Sequence, residues 1–333
     1  MTSTELRPDL APAAWRGAVG WEQRDDAVRV WRLLPDRIDR AFAPDLVEKA
    51  REAAGVRADV VTAADTLHLD LELGIEIDRP TRVDVLVDDE LAHRVDVEIG
   101  RSRLELPLPA GEHRVQVWLP QVGRTWLRSV ALDGAAKPAP AASTSWVAYG
   151  SSITQCSAAA GPSQTWPAIV ARTLGWDLTC LGFGGQCHLD PLAARTIEAL
   201  PADVISLCLG INVQGGATLS GRTFAPLVAD LLDRVRDSHP DATVVVVSPI
   251  TSPPREQTPN EVGLTLQAMR DILADVVAGT DDDRLHLVDG PSVIGPDDAH
   301  LLPDDLHPDE TGYRLMGERL AAVLGRLHEP VRA

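Results

Sequence analysis

The chain has 333 residues, 44% of them hydrophobic and 24% charged, enough to bury one large or two ordinary cores without disulfide support. Its 31 basic and 49 acidic residues give a net charge of −18, a field that repels nucleic acid and anionic membrane as partners. The acids are scattered and form no long block, so solubility is the simplest use of the charge. The first residues, Met1-Thr-Ser-Thr-Glu-Leu-Arg7, show no basic region followed by an apolar core, and no apolar run is long enough to span a bilayer. A cytoplasmic protein is expected, with no membrane partner.

A helix is expected over Asp45–Ala54, stopped by Gly55. From Leu67 to Ile77 every second residue is apolar, with His68, Asp70, Glu72 and Glu76 on the other face, as in a strand with one dry side. The alternation recurs at Val83/Val85/Val87, Val95/Val97/Ile99, Leu104/Leu106/Leu108 and Val115/Val117/Leu119. Asp88-Asp89-Glu90 and Pro109-Ala110-Gly111 are turn-like, so residues 1–135 read as an antiparallel β-sandwich or jelly-roll domain. Trp31, Trp118 and Trp126 fall in or beside apolar patterns, where core packing outweighs a ligand-facing surface. His68 and His113 read as polar-face residues. Residues 136–145, rich in Ala, Pro and Ser, read as a linker.

Over residues 146–330 the pattern changes to continuous apolar runs at Trp146–Tyr149, Asp177–Leu181, Asp203–Leu209, Thr243–Val247 and Leu285–Val288. Strands buried on both faces have this composition and belong to parallel sheets. Helical stretches at Gln164–Leu174, Leu192–Leu200, Thr223–Asp237, Glu261–Val277 and Pro308–Leu327 alternate with them, predicting a doubly wound α/β fold. Five loops leave the carboxyl ends of these strands, where such sheets place reactive groups. They carry Gly150-Ser151-Ser152, Gly182-Phe-Gly-Gly185-Gln-Cys-His188, Gly210-Ile-Asn212, Ser248–Glu256 and Asp304-Asp-Leu-His307. A nucleophile, a base, an orienting acid and oxyanion donors are all represented on one rim.

These blocks, in this order, resemble the SGNH hydrolases, also called GDSL-type esterases and lipases. Ser151 stands where that family more often has Asp. The resemblance covers the second domain and implies a flavodoxin-like sheet. It implies that Ser152 attacks an acyl carbonyl, that His307 takes and returns the proton, and that Asp304 orients His307. It further implies an oxyanion site built from the N–H groups of Ser152 and Gly185 and the side-chain amide of Asn212. A serine hydroxyl needs such a base to become nucleophilic.

Rivals exist within each block. Ser151 competes with Ser152, Asp305 with Asp304, and His188 with His307, although His188 suits a substrate pocket or the surface better. His300 reads as a loop surface residue, and Asp289 suits a role in stabilising its loop. Arg255 and Glu256 could shape a substrate pocket or form a structural pair at a helix entrance. The four cysteines, Cys156, Cys180, Cys187 and Cys208, lack zinc-like spacing and read as buried thiols, with the reactivity of Cys187 open.

No cofactor or metal is expected. A dinucleotide fingerprint begins at Gly182-x-Gly184, but Cys187 occupies the place of its third glycine. Thr154 likewise breaks the Gly-x-Ser-x-Gly elbow of α/β-hydrolases. The expected activity is hydrolysis of a carboxylic ester, with the acyl group carried on a sugar or small natural product. The alternatives are transfer of the acyl group to a hydroxyl acceptor and a non-catalytic binding protein on the same fold. The oligomeric state is not encoded in any feature of the sequence.

Overall fold

The computed structural model describes residues 3–74 and 80–328. The N-terminal half consists of two six-stranded antiparallel sheets packed face to face. One sheet runs Gly20–Arg24, Ala27–Trp31, Thr125–Leu132, Thr66–Leu73, Gly100–Pro107, with Thr4–Glu5 added on Thr125–Leu132. The other runs Ala136–Pro138, Arg57–Thr62, His113–Trp118, Arg82–Val87, Glu90–Asp96, with Trp15–Arg16 added on Arg57–Thr62. Along Thr66–Leu73 the alternation becomes burial: Leu67, Leu69, Leu71 and Leu73 enter the core while His68, Asp70 and Glu72 are half-buried. Of that predicted strand, Ile75, Glu76 and Ile77 lie outside the described residues.

The run Val95/Val97/Ile99 does not form one strand. Pairing ends at Asp96, because the chain there leaves one sheet and enters the other at Gly100, and Ile99 at this crossover is exposed. The expected linker begins with Ala136–Pro138 paired on Arg57–Thr62. Trp31, Trp118 and Trp126 are buried, and Trp126 lies under the guanidinium groups of Arg24 and Arg29. His68 and His113 pair with Asp133 and Asp88 near the surface.

The C-terminal half is a five-stranded parallel sheet. Taking its strands in sequence as Ser145–Gly150, Asp177–Gly182, Val204–Cys208, Thr243–Val247 and Leu285–Val288, the spatial order is second, first, third, fourth, fifth. That is the flavodoxin-like order, with its switch point between the first and third strands. The two faces explain the unbroken apolar runs. Val147, Tyr149, Ile205, Leu207, Val244 and Val246 point to one helix layer, which contains Leu192, Ile197, Phe224, Val228 and Leu273. Their neighbours Trp146, Ala148, Val204, Val245 and Val247 point to the other, where Trp166, Val170, Tyr313, Met316 and Leu320 lie. No helix among the described residues is long and apolar enough to cross a membrane.

The two halves meet along the second parallel strand, which is an edge of its sheet. Every second carbonyl of such an edge lacks a strand partner. Arg57 Nη1 donates to Leu178 O (3.3 Å), and Arg32 Nη1 donates to Cys180 O (3.1 Å) and Gly182 O (2.6 Å). Both arginines come from the N-terminal half, so the sandwich closes this edge. The helix expected over Asp45–Ala54 is shorter, Pro44–Ala50. It ends early because Arg32 draws in the Lys49 and Glu52 carbonyls (2.6 and 2.5 Å). Gly55 has φ +78, and a β-carbon there would sit 2.7 Å from Cys180 Cβ. Only glycine allows both that backbone conformation and that approach.

Candidate active site

Ser151 and Ser152 follow the first parallel strand and open a one-turn helix, Ser152–Gln155. Their hydroxyls are used differently. Ser151 is 1% exposed, and its Oγ accepts from Ile153 N at 3.2 Å, capping the turn. Ser152 is half-buried, with Oγ 2.8 Å from His307 Nε2. His307 Nδ1 donates to Asp304 Oδ2 at 2.6 Å. With the proton of neutral His307 held at Nδ1 by the carboxylate, Nε2 is the acceptor for the Ser152 hydroxyl.

The Asp-x-x-His spacing has a local cause. Asp304 Oδ1 accepts from the backbone N–H groups of Leu306 (3.1 Å) and His307 (2.7 Å), while Oδ2 holds the ring. Asp305, at φ +60, makes the turn and is exposed, and its carbonyl accepts from Ser252 Oγ at 2.7 Å. Partial burial pushes the Asp304 carboxyl up, but the hydrogen bonds and charge of His307, with Leu306 N, outweigh it and hold the group below its ordinary 3.8. A carboxyl with a lowered folded pKa stabilises the fold above its unfolded value, and loses that contribution as pH falls through the folded value. The Tm gap between the native chain and Asp304→Asn is therefore expected to be wide near neutral pH and to close as pH falls below the carboxyl's ordinary 3.8 and through its lowered folded value. Equal gaps at the two ends of a pH series of melting curves would contradict this.

The loop after the second parallel strand lies beside Ser152. A β-carbon placed on Gly184 would be 3.7 Å from Ser152 Cβ. Gly185, at φ +72, turns the chain there. Three side chains hold this loop. Gln155 Oε1 accepts from Gly184 N at 2.7 Å, and Asn212 Oδ1 accepts from Cys187 N at 3.0 Å. His188 Nε2 donates to Gly185 O at 3.0 Å, and its Nδ1 accepts from Thr218 Oγ1 at 3.0 Å. Anchoring Asn212 by its oxygen leaves its NH2 group as the free donor end. Asn212 stands in the short helix Ile211–Gly216, which was not expected from the sequence. Ser152 N lies in the first turn of a helix, where N–H groups lack intrahelical partners.

Of the pocket candidates, Glu256 forms a two-pronged ion pair with Arg270 (2.6 and 2.9 Å), and Glu256 Oε1 also accepts from Ser252 N at 2.9 Å. Arg255 Nη1 donates to Ser252 Oγ at 2.9 Å. Both residues thus brace Ser252, which in turn holds the Asp305 carbonyl. His300 is exposed, and Asp289 Oδ1 accepts from Ser248 Oγ at 3.3 Å, tying two strand ends together.

All four cysteines are free; three are buried and Cys208 is half-buried. Burial pushes the Cys187 thiol up to about 12, which makes it a poor thiolate at neutral pH. Among the described residues, no group of three or more His, Cys, Asp or Glu side chains is arranged to hold a metal ion. A separate cleft between the halves is lined by Arg16, Arg57, Arg114 and Trp118, and its arginines are paired with Asp177 and Asp59 in the same wall.

Residues 148–315 match the model of the GDSL-like lipase/acylhydrolase family. No curated protein matches the chain. Among solved structures, a salicylyl-acyltransferase from a tetracycline biosynthetic pathway is 30% identical, with 97% of each chain covered and a TM-score of 0.87. A GDSL-like lipase of Bacteroides ovatus, itself so named only provisionally, is 16% identical over 98% of this chain and 97% of its own, with a TM-score of 0.79. A family two carbohydrate esterase from Cellvibrio japonicus is 14% identical over 98% of each chain, with a TM-score of 0.67. The last two likenesses establish the shared fold.

Proposed function

The chain belongs to the GDSL-like lipase/acylhydrolase family, and we propose that it cleaves a carboxylic ester by acylating Ser152. The observation that carries this reading is the unbroken hydrogen-bond line from Ser152 Oγ through His307 to Asp304, 2.8 and then 2.6 Å. Ser152 Oγ attacks the acyl carbon as its proton passes to His307 Nε2. Asp304 keeps the ring oriented and stabilises its charged form. The carbonyl oxygen becomes an oxyanion facing Ser152 N–H, Gly185 N–H and the Asn212 amide, donors that gain most when negative charge develops. Collapse expels the alcohol, which takes the proton from His307. A second hydroxyl, deprotonated by His307, then attacks the acyl-serine and releases the product.

Water as that second hydroxyl makes the protein an esterase. A specific observation favours a second reading, transfer to an alcohol: the full-length relative at 30% identity is an acyltransferase. The sandwich-plus-hydrolase layout also occurs in carbohydrate esterases, which supports a polyhydroxylated substrate only at the level of fold. The deciding experiment is turnover of a short activated ester with and without sugar or phenolic acceptors, with acid and new ester quantified. A burst of leaving group equal to enzyme, followed by turnover, is expected. Neither a burst nor labelling by a serine-directed phosphonate would leave only the non-catalytic binding protein.

A further inference from the structure

The loop bearing Gly185 is not held by the C-terminal half alone. Gln155, three residues after Ser152, is 2% exposed and lies on the same short helix. Its Oε1 accepts from Gly184 N at 2.7 Å. Its Nε2 donates to Gln121 O at 3.0 Å and to Glu52 Oε2. Glu52 and Gln121 belong to the N-terminal half. Glu52 is fixed in turn: its backbone bridges to Arg124, and its Oε1 accepts from Lys49 Nζ at 2.9 Å. One buried amide thus connects the sandwich to the Phe183–Gly184 peptide, one peptide before the Gly185 N–H, with both of its polar atoms satisfied by protein groups.

The strand feeding this loop is gripped by the same segment. Arg32 donates to Gly182 O, two residues before Gly184, and to the carbonyls of Lys49 and Glu52. Lys49 also reaches the site itself, with its Cε 3.7 Å from the β-carbon position of Gly184. The loop is therefore tied to the N-terminal half directly at Gly182, through Arg32, and indirectly at Gly184, through Gln155, on either side of Phe183.

We infer that the N-terminal half is a working part of the site, with Gln155 as the positioning residue that sets the Gly185 N–H for the oxyanion. The inference rests on the acyl-serine reading proposed above. Gln155 touches no substrate atom in this account; it acts through the Gly184 peptide. A misplaced donor loses transition-state stabilisation and leaves ground-state binding intact.

The test uses the full-length protein, a short activated ester and a trifluoromethyl ketone inhibitor, whose adduct with serine places an oxyanion in the same donors. For Gln155→Met, kcat is expected to fall roughly 10- to 100-fold with KM within about twofold, since removing a whole donor costs about 10²–10³. The inhibition constant for the fluoroketone is expected to rise in parallel. The matching methyl ketone, which stays a ground-state mimic, is expected to bind as before. Glu52→Gln, which keeps an acceptor for Gln155, is expected to stay within about threefold of the native kcat, and Glu52→Ala to lie between the two. If folded Gln155→Met keeps native kcat, or loses affinity for both ketones equally, the inference is wrong. If Gln155→Met does not accumulate as folded protein, Glu52→Ala decides, and native kcat in that variant overturns the inference. Wild-type protein inactive on every ester would instead sink the acyl-serine reading.

Discussion

Ser152→Ala is expected to lower kcat on a short ester by roughly 10⁴- to 10⁶-fold while KM and folding stay close to native. On the acyl-serine reading proposed above, the size follows from the loss of the group that carries the acyl chain, and the residual rate from the proposed oxyanion donors that remain. Folding is spared because Ser152 Oγ sits at a half-buried position bonded to a partly exposed ring. Deleting such a hydroxyl costs about 1 kcal/mol or less. Ser151 is no substitute, since its oxygen faces Ile153 N and is shut away from solvent. His307→Gln is expected to be nearly as inactive, and the double variant hardly slower than either single one, because base and nucleophile act as a unit. Initial rates and active-site titration of the three variants check this. A Ser152→Ala enzyme retaining more than about a tenth of native kcat would remove Ser152 from the nucleophile's role.

What the sequence displayed, and what it hid, divides by the range of the interaction. Asp304 and His307 are three residues apart and make their contact within one turn, so the pair is visible as a spacing, although the spacing leaves Asp305 as a rival that only the fold turns outward. The parallel strands were equally visible, because burial on both faces forces every residue of a run such as Thr243–Val247 to be apolar. The pattern over Glu261–Val277 predicts one helix, but the helix begins at Leu266, with Thr265 as its cap. Asn260 takes the preceding residues out of the helix: its Oδ1 accepts from Val262 N and Leu264 N. Ile211–Gly216 leaves little periodic signal, because it is only six residues long and ends in two glycines. The pattern Pro308–Leu327 puts Pro308 in the first helical turn, yet Asp309 caps the helix and Pro308 stays outside it.

Gln155 and Arg32 lay beyond reach for another reason. Each joins chain-local partners to one more than one hundred residues away, Glu52 for Gln155 and Gly182 for Arg32. A faint trace existed for each: Gln155 is spaced i,i+3 from Ser152, and Arg32 interrupts the apolar run Val30-Trp31-Arg32-Leu33-Leu34. Neither trace names a partner. The interface between the halves is therefore the least legible part of the fold in the sequence.

That interface sets up the second large effect. Arg32→Met is expected to destabilise the protein by about 3–5 kcal/mol. Arg32 is 0% exposed, and no carboxylate is among its hydrogen-bond partners; it is held by the carbonyls of Lys49, Glu52, Cys180 and Gly182. Two effects oppose each other. Burying the guanidinium is costly, and desolvation pulls its pKa down, so removing the charge recovers some free energy. Against this, four carbonyls lose a charged donor; that of Lys49 keeps the N–H of Glu52, but each buried carbonyl left unpaired costs about 1–3 kcal/mol. Two of them belong to a sheet edge that no other strand covers, so the second term wins. Arg32→Lys is expected to recover only a minor part, because one ammonium cannot span acceptors on two segments as a planar fork does. Urea unfolding of the three proteins measures the difference, with the m-value checked for two-state behaviour. A loss below about 1 kcal/mol in Arg32→Met would mean that water satisfies the strand edge and that the two halves are joined elsewhere.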